Sequence, residues 1–211
     1  MKKILLLAGV ACLLSANADA KVNQYVSGKL SYDFNRVKIK ANDYSEQDWA
    51  GIYRASANKE LFGTHVAYGV RAGYVRGEVE LNNSRDIKRN WLTVTSDKGN
   101  EVMLEHFRLY KHSFMANAYF DYLTCTPWTP YVGAGIGLAH LKADFGEDGK
   151  SVNNLAWQVM GGIAYDVTAN WTLDAGYRYA DLGRIRKNDG YSVTKVTARD
   201  HEIMFGARYN F

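Results

Sequence analysis

The chain has 211 residues, 47% of them hydrophobic, and a formal net charge of +4. That length suits one domain, and so mild a positive balance gives no argument for a nucleic-acid partner. Only two cysteines are present, so a disulfide framework is excluded.

The N-terminus has the layout of an export signal. Lys2 and Lys3 supply positive charge, Ile4 to Leu14 is an uncharged apolar stretch, and Ala18-Asp19-Ala20 is a small-x-small cleavage site. The apolar stretch is too short for a membrane-spanning helix, which needs about 20 residues. Residues 1–20 are therefore expected to be a signal peptide and 21–211 the folded domain. Lipidation at Cys12 is disfavoured, because Gly9 stands where a bulky aliphatic residue is expected. Beyond the signal, no apolar run of helix-spanning length occurs. The mature chain keeps Cys125, in a Thr-Cys-Thr-Pro stretch that reads as a turn.

What dominates the remainder is period-two alternation, the mark of strands whose successive side chains face opposite ways. Val26, Gly28, Leu30, Tyr32 and Phe34 alternate with Ser27, Lys29, Ser31 and Asp33. Trp49 to Ala57 alternates poorly and is taken as a strand because such barrels have an even strand count. Val66, Tyr68, Val70, Ala72 and Tyr74 come next, and the phase then slips, which a bulge near Gly77 would explain. Further strands run through Phe114–Tyr122, Val132–Leu138, Leu155–Val167, Trp171–Tyr179 and Ile203–Phe211. Gly133, Gly135 and Gly137 share one face of their strand and leave room for large neighbours such as Tyr119 and Met160.

Connections read alternately short (Asn58–Gly63, Thr124–Thr129, Thr168–Asn170) and long (Asn35–Asp48, Asn82–Val102, Gly146–Asn153, Arg184–Asp200). Short turns at one rim and long loops at the other is the outer-membrane arrangement. Lys29, Asp33, Arg71, Asp121, Asp174, Arg178, Glu202 and Arg208 all fall opposite the apolar face. A lysine or arginine facing lipid at mid-membrane costs about 2–4 kcal/mol, so these charges are expected inside the barrel as an ion-pair network filling the lumen. Tyr122, Tyr131, Tyr165, Trp171, Tyr209 and Phe211 are expected to form an aromatic girdle at the short-turn rim. The fold expected is thus an all-β, eight-stranded antiparallel transmembrane barrel.

Two segments carry a family resemblance. Trp171-Thr-Leu-Asp-Ala-Gly-Tyr-Arg-Tyr-Ala-Asp-Leu-Gly-Arg184 with His201-Glu-Ile-Met-Phe-Gly-Ala-Arg-Tyr-Asn-Phe211 resembles the last two strands of opacity-family outer-membrane proteins, within the wider OmpA-like barrels. His112-Ser-Phe-Met-Ala-Asn-Ala-Tyr-Phe-Asp121 and Pro130-Tyr-Val-Gly-Ala-Gly-Ile-Gly137 are similar to the middle hairpin of that group. The resemblance implies an eight-stranded barrel in the outer membrane of a Gram-negative bacterium and recognition of the C-terminal strand, with its Phe211, by the barrel-assembly machinery. The apolar face is expected to contact outer-membrane lipid, and the basic rim lipopolysaccharide phosphates. Ending at Phe211, the chain is expected to be without the periplasmic peptidoglycan-binding domain of some relatives. The opacity adhesins bind host receptors through variable loops, so no receptor contact transfers to a particular residue.

Three activities are open to such a barrel. A narrow porin-like channel for small solutes is disfavoured because side chains just fill an eight-stranded lumen. A lipid A-modifying enzyme is disfavoured because His112 and Ser113 are adjacent on a strand and point apart. Surface binding, to a host receptor or an acidic glycan, would use the basic residues of the long loops: Arg85, Lys88 and Arg89, then Arg184, Arg186 and Lys187. No cofactor motif and no histidine or cysteine cluster at metal-ligand spacing is legible along the chain.

Overall fold

A computed structural model describes residues 22–43, 52–96, 101–145, 148–188 and 192–211; the expected signal peptide, 1–20, lies outside them. Eight strands form: β1 (Val22–Asp43), β2 (Ile52–Ala72), β3 (Val75–Ser96), β4 (Glu101–Asp121), β5 (Trp128–Phe145), β6 (Asp148–Asp166), β7 (Trp171–Asn188) and β8 (Ser192–Asn210). Each pairs antiparallel with its chain neighbours, and β8 closes on β1 from Tyr25↔Asn210 to Asp43↔Ser192. Closure leaves no unpaired edge, which hydrocarbon would not tolerate.

The sequence places the faces correctly but miscounts one hairpin. Trp49–Ala57 is not a separate strand, and Asn58–Gly63 is not a turn. Residues 52–72 are one strand, paired with β1 from Asn42↔Ile52 to Val22↔Ala72. The missing strand is β3, which follows a two-residue turn at Gly73-Tyr74. Gly73 sits at φ +59, in the left-handed region that glycine enters without steric cost. The phase slip after Tyr74 therefore comes from this turn and not from a bulge at Gly77, which pairs regularly with Val70 and Ala118.

Strand pairing also runs through most of the expected long loops. Residues 35–43, 82–96, 148–153, 184–188 and 192–200 are all strand. The barrel wall thus continues past its apolar band at the end opposite the short connections 73–74, 122–127 and 167–170.

Inside and outside are reversed relative to a soluble protein. Leu30, Phe62, Val66, Leu81, Val132, Leu138, Leu155 and Phe205 are all at least 60% exposed, while Lys29, Asp33, Arg178 and Glu202 are buried. Apolar surface on this scale needs a partner, and a closed barrel of alternating strands gives it lipid. On β5 the outward residues from Trp128 to Leu138 span roughly 25 Å at a tilt of about 40°, the height of a transmembrane apolar band.

One aromatic expectation is corrected. Tyr131 is not in the girdle; it is 6% exposed and packs in the lumen with Tyr119, Met160 and Ala164. Its hydroxyl occupies space left by Gly162 and Gly176, where an added Cβ would stand 2.6 and 2.7 Å from it. Gly133 likewise admits the Tyr119 ring, while at Gly137 a Cβ would meet the Phe114 carbonyl and the Met115 sulfur. Gly137→Ala should therefore cost about 1–3 kcal/mol through overpacking against backbone. Gly28→Ala, where nothing lies within 4 Å, should be tolerated. Urea midpoints of the heat-modifiable gel form in detergent micelles check both.

Candidate functional site

The lumen is the most highly organised part of the molecule. Among the described residues five cations, Lys29, Arg76, Lys111, Arg178 and Arg208, are buried with seven carboxylates, Asp33, Glu78, Glu80, Asp121, Asp174, Asp200 and Glu202. A buried charge is tolerable only when paired and hydrogen-bonded, and the arrangement can be followed up the barrel from the short-turn rim.

At the base, Arg208 Nε lies 2.5 Å from Asp174 Oδ2, a charge contact that lacks hydrogen-bond alignment. Arg76 grips Asp121 with Nε and Nη2 at 3.0–3.2 Å, a two-nitrogen contact of the strong, directional kind. Its guanidinium also lies over the Tyr119 ring at 3.9 Å and near Tyr131 at 5.1 Å. Arg71, partly exposed at the mouth, adds a looser contact to Asp121 at 3.7 Å.

At mid-height Glu78 accepts from the Tyr25 hydroxyl at 2.8 Å, the Tyr119 hydroxyl at 3.0 Å and Lys29 Nζ at 3.4 Å. Above it Arg178 joins two strands' carboxylates. Its Nη1 donates to Glu80 at 2.7 Å, and its Nε and Nη2 both reach Glu202. Near the outer end Lys111 pairs with Asp200 at 2.8 Å. Asp33 is served by hydroxyls, accepting from Ser31 at 2.5 Å and Ser84 at 3.4 Å. Beside Lys111, Arg178 and Glu202 a cavity of about 10 Å³ remains, room for about one water.

All eight residues expected in the lumen face it, with Arg71 at its edge. The expectation omitted Arg76, Glu78, Glu80, Lys111 and Asp200, which hold as much of the network. The signal for three of them was available. Arg76, Glu78 and Glu80 recur at period two in the stretch read as a bulged continuation of the strand before Tyr74.

Histidines divide by face. His112 is exposed and Ser113 buried, so the two point apart. The contact that scanning along a strand misses is cross-strand: His65 Nε2 lies 2.9 Å from Ser31 Oγ, and Ser31 donates to Asp33. The His65 ring also touches Arg178 and Asn82, and His65 and Ser31 are each 2% exposed.

At the short-turn rim, Trp171 and Tyr209 pack at a tilt with ring centroids 5.1 Å apart, Tyr209 and Phe211 at 6.4 Å, and all three are exposed. At the opposite end, Arg184 and Arg186 are exposed on β7 beyond a bulge at Leu182-Gly183. They lie on a strand, not in a loop. Arg85, Lys88, Arg89 and Lys187 are also within strands, β3 and β7, with side chains outside the described residues. Cys125 is exposed in the 122–127 connection.

Comparison with known proteins adds ancestry to this geometry. A family model described as the outer membrane protein beta-barrel domain matches residues 4–211. The outer membrane protein PagN of Salmonella typhimurium is 29% identical over 230 residues, covering 93% of both chains. The opacity protein opA50 of Neisseria gonorrhoeae is 22% identical and covers 93% of this chain and 100% of its own. Among solved structures, Neisserial surface protein A superposes with a TM-score of 0.56 at 24% identity, covering 90% of this chain and 99% of its own. OprG of Pseudomonas aeruginosa gives 0.57 at 16%, covering 91% and 96%; these two establish likeness of fold. With a matching family model over nearly its whole length and a closed lipid-facing barrel, the chain belongs to the outer-membrane β-barrel protein family.

Proposed function

We propose that this outer-membrane protein is a non-enzymatic surface-interaction protein: a barrel whose lumen is closed and whose outward-projecting wall makes the functional contacts. The observation that carries this reading is the filled lumen, where Arg178 links Glu80 of β3 to Glu202 of β8 across the interior. A path for solutes would have to break that link, which disfavours the porin-like alternative. An enzyme acting on lipid A would need its histidine within reach of substrate, whereas His65 and Ser31 are buried within the network. Strand pairing that continues beyond the apolar band supports a projecting platform, and Arg184 and Arg186 give it exposed positive charge. The kinship with opacity proteins supports a partner on another cell, and an acidic glycan fits the charge. Lipopolysaccharide around the barrel and the assembly machinery at the C-terminal strand complete the partners of this reading.

Planar-bilayer recordings test the closed lumen. The purified barrel should show no large, stable unitary conductance, and regular steps would contradict it. Arg178→Ala, which strands two buried carboxylates, should cost about 3–5 kcal/mol of stability. Combining Arg178→Met with Glu80→Gln and Glu202→Gln should recover most of it, because removing the whole set leaves no orphaned charge. Urea titration in micelles measures both. Reversing charge at Arg184, Arg186 and Lys187 should abolish binding to sulfated glycan arrays; unchanged binding would remove those residues from the account.

A further inference from the structure

Strands β4 and β5 set His112 directly opposite His140. Both side chains are outward and exposed, and directly opposed residues hold their Cβ atoms about 4.5–5.5 Å apart. The pair forms the first polar row beyond the apolar row of Phe114, Leu138 and Leu155, and Asn153 of β6 extends the row opposite His140.

Asn153 fixes one ring. Its Oδ1 lies 2.7 Å from His140 Nδ1. A carboxamide oxygen only accepts, so Nδ1 carries the proton and donates. The Nε2 lone pair of His140 is then left available. Among the described residues no side-chain hydrogen bond engages His112. The nearby cation in the next row, Lys142, sits over the Tyr110 ring at 5.5 Å. An available lone pair is the wrong polarity for a phosphate oxygen and the right one for a metal ion. Imidazole nitrogens bind divalent transition metals at about 2.0–2.1 Å, a span two rings can bridge from Cβ atoms so spaced. A carbonyl oxygen on the far ring nitrogen is also the usual device for orienting such a ligand.

We propose that His112 and His140 form a two-imidazole site for a divalent transition-metal ion, with Asn153 as the positioning residue and water filling the remaining coordination. Neutral imidazole suits copper, nickel and zinc, and copper binds most tightly in that series. This site is independent of the surface-interaction reading and lies outside the lumen.

The test uses Cu(II) alone, added to the folded full-length barrel in micelles, without a polyhistidine tag and in a Cys125→Ser background. Electron paramagnetic resonance should show one ion per barrel coupled to two nitrogens. His112→Gln and His140→Gln should each remove one nitrogen and weaken binding about a hundredfold, the loss expected when a two-point attachment becomes one-point. Asn153→Ala should keep both nitrogens and weaken binding about tenfold. His201→Gln should leave binding unchanged, since His201 lies on β8 directly opposite Tyr179 and Phe34 and not opposite a second imidazole. Carbethoxylation of exposed imidazoles on the folded wild-type barrel should also remove the signal, with no variant to fold. Equal copper binding by the wild type and the double glutamine variant would overturn the proposal.

Discussion

Arg178 is the residue on which the interior depends. It reaches Glu80, 98 positions away in sequence, and Glu202, 24 positions away, and it contacts His65 on a third strand. An eight-stranded lumen is too narrow to hydrate these groups freely and too crowded to leave them apart. The charges are there because the outer surface must be apolar to meet lipid, so within the apolar band the charged residues of an alternating strand are driven inward. Once inside, each must find an opposite charge or a donor. The lipid requirement outside therefore creates the ion-pair network inside, and that network spans the lumen from β3 to β8.

The same logic explains the distribution of glycine and aromatic residues. Large rings inside, Tyr25, Tyr119 and Tyr131, need empty positions across from them, and Gly69, Gly133, Gly162 and Gly176 provide these. The rings in turn cover the guanidinium of Arg76. Outside, Trp128 packs on Tyr165 and Trp171 on Tyr209 near the short-turn rim, where amphipathic rings suit the boundary between lipid and water.

Much of this could be read from the chain because a period of two leaves little freedom. If one residue of a strand faces lipid, all its neighbours are assigned, and a charge on the wrong face is costly enough to settle the choice. What failed shares a physical cause. A two-residue turn at Gly73-Tyr74 shifts the apolar phase much as a bulge does, so the start of β3 reads as the same strand continued past a bulge, its remainder from Asn82 as a loop, and Arg76, Glu78 and Glu80 escape the lumen assignment. Tyr131 reads as a girdle residue because a tyrosine near a strand end suits either face, although it is buried in the lumen. The glycines that decide the matter are on other strands. Cross-strand partners such as Ser31 with His65, or His112 with His140, depend on register, which no single strand displays. The polar outer segments read as loops because pairing there does not require an apolar face.

The most direct measure of the central claim is a double-mutant cycle on Arg178 and Glu202, using Arg178→Met, Glu202→Gln and the pair, with unfolding free energies measured in micelles. A closed, dry network predicts a favourable coupling of about 1–3 kcal/mol that changes little with added salt. A coupling near zero, or one erased by salt, would mean that water fills the lumen and screens the pair, and would contradict the account.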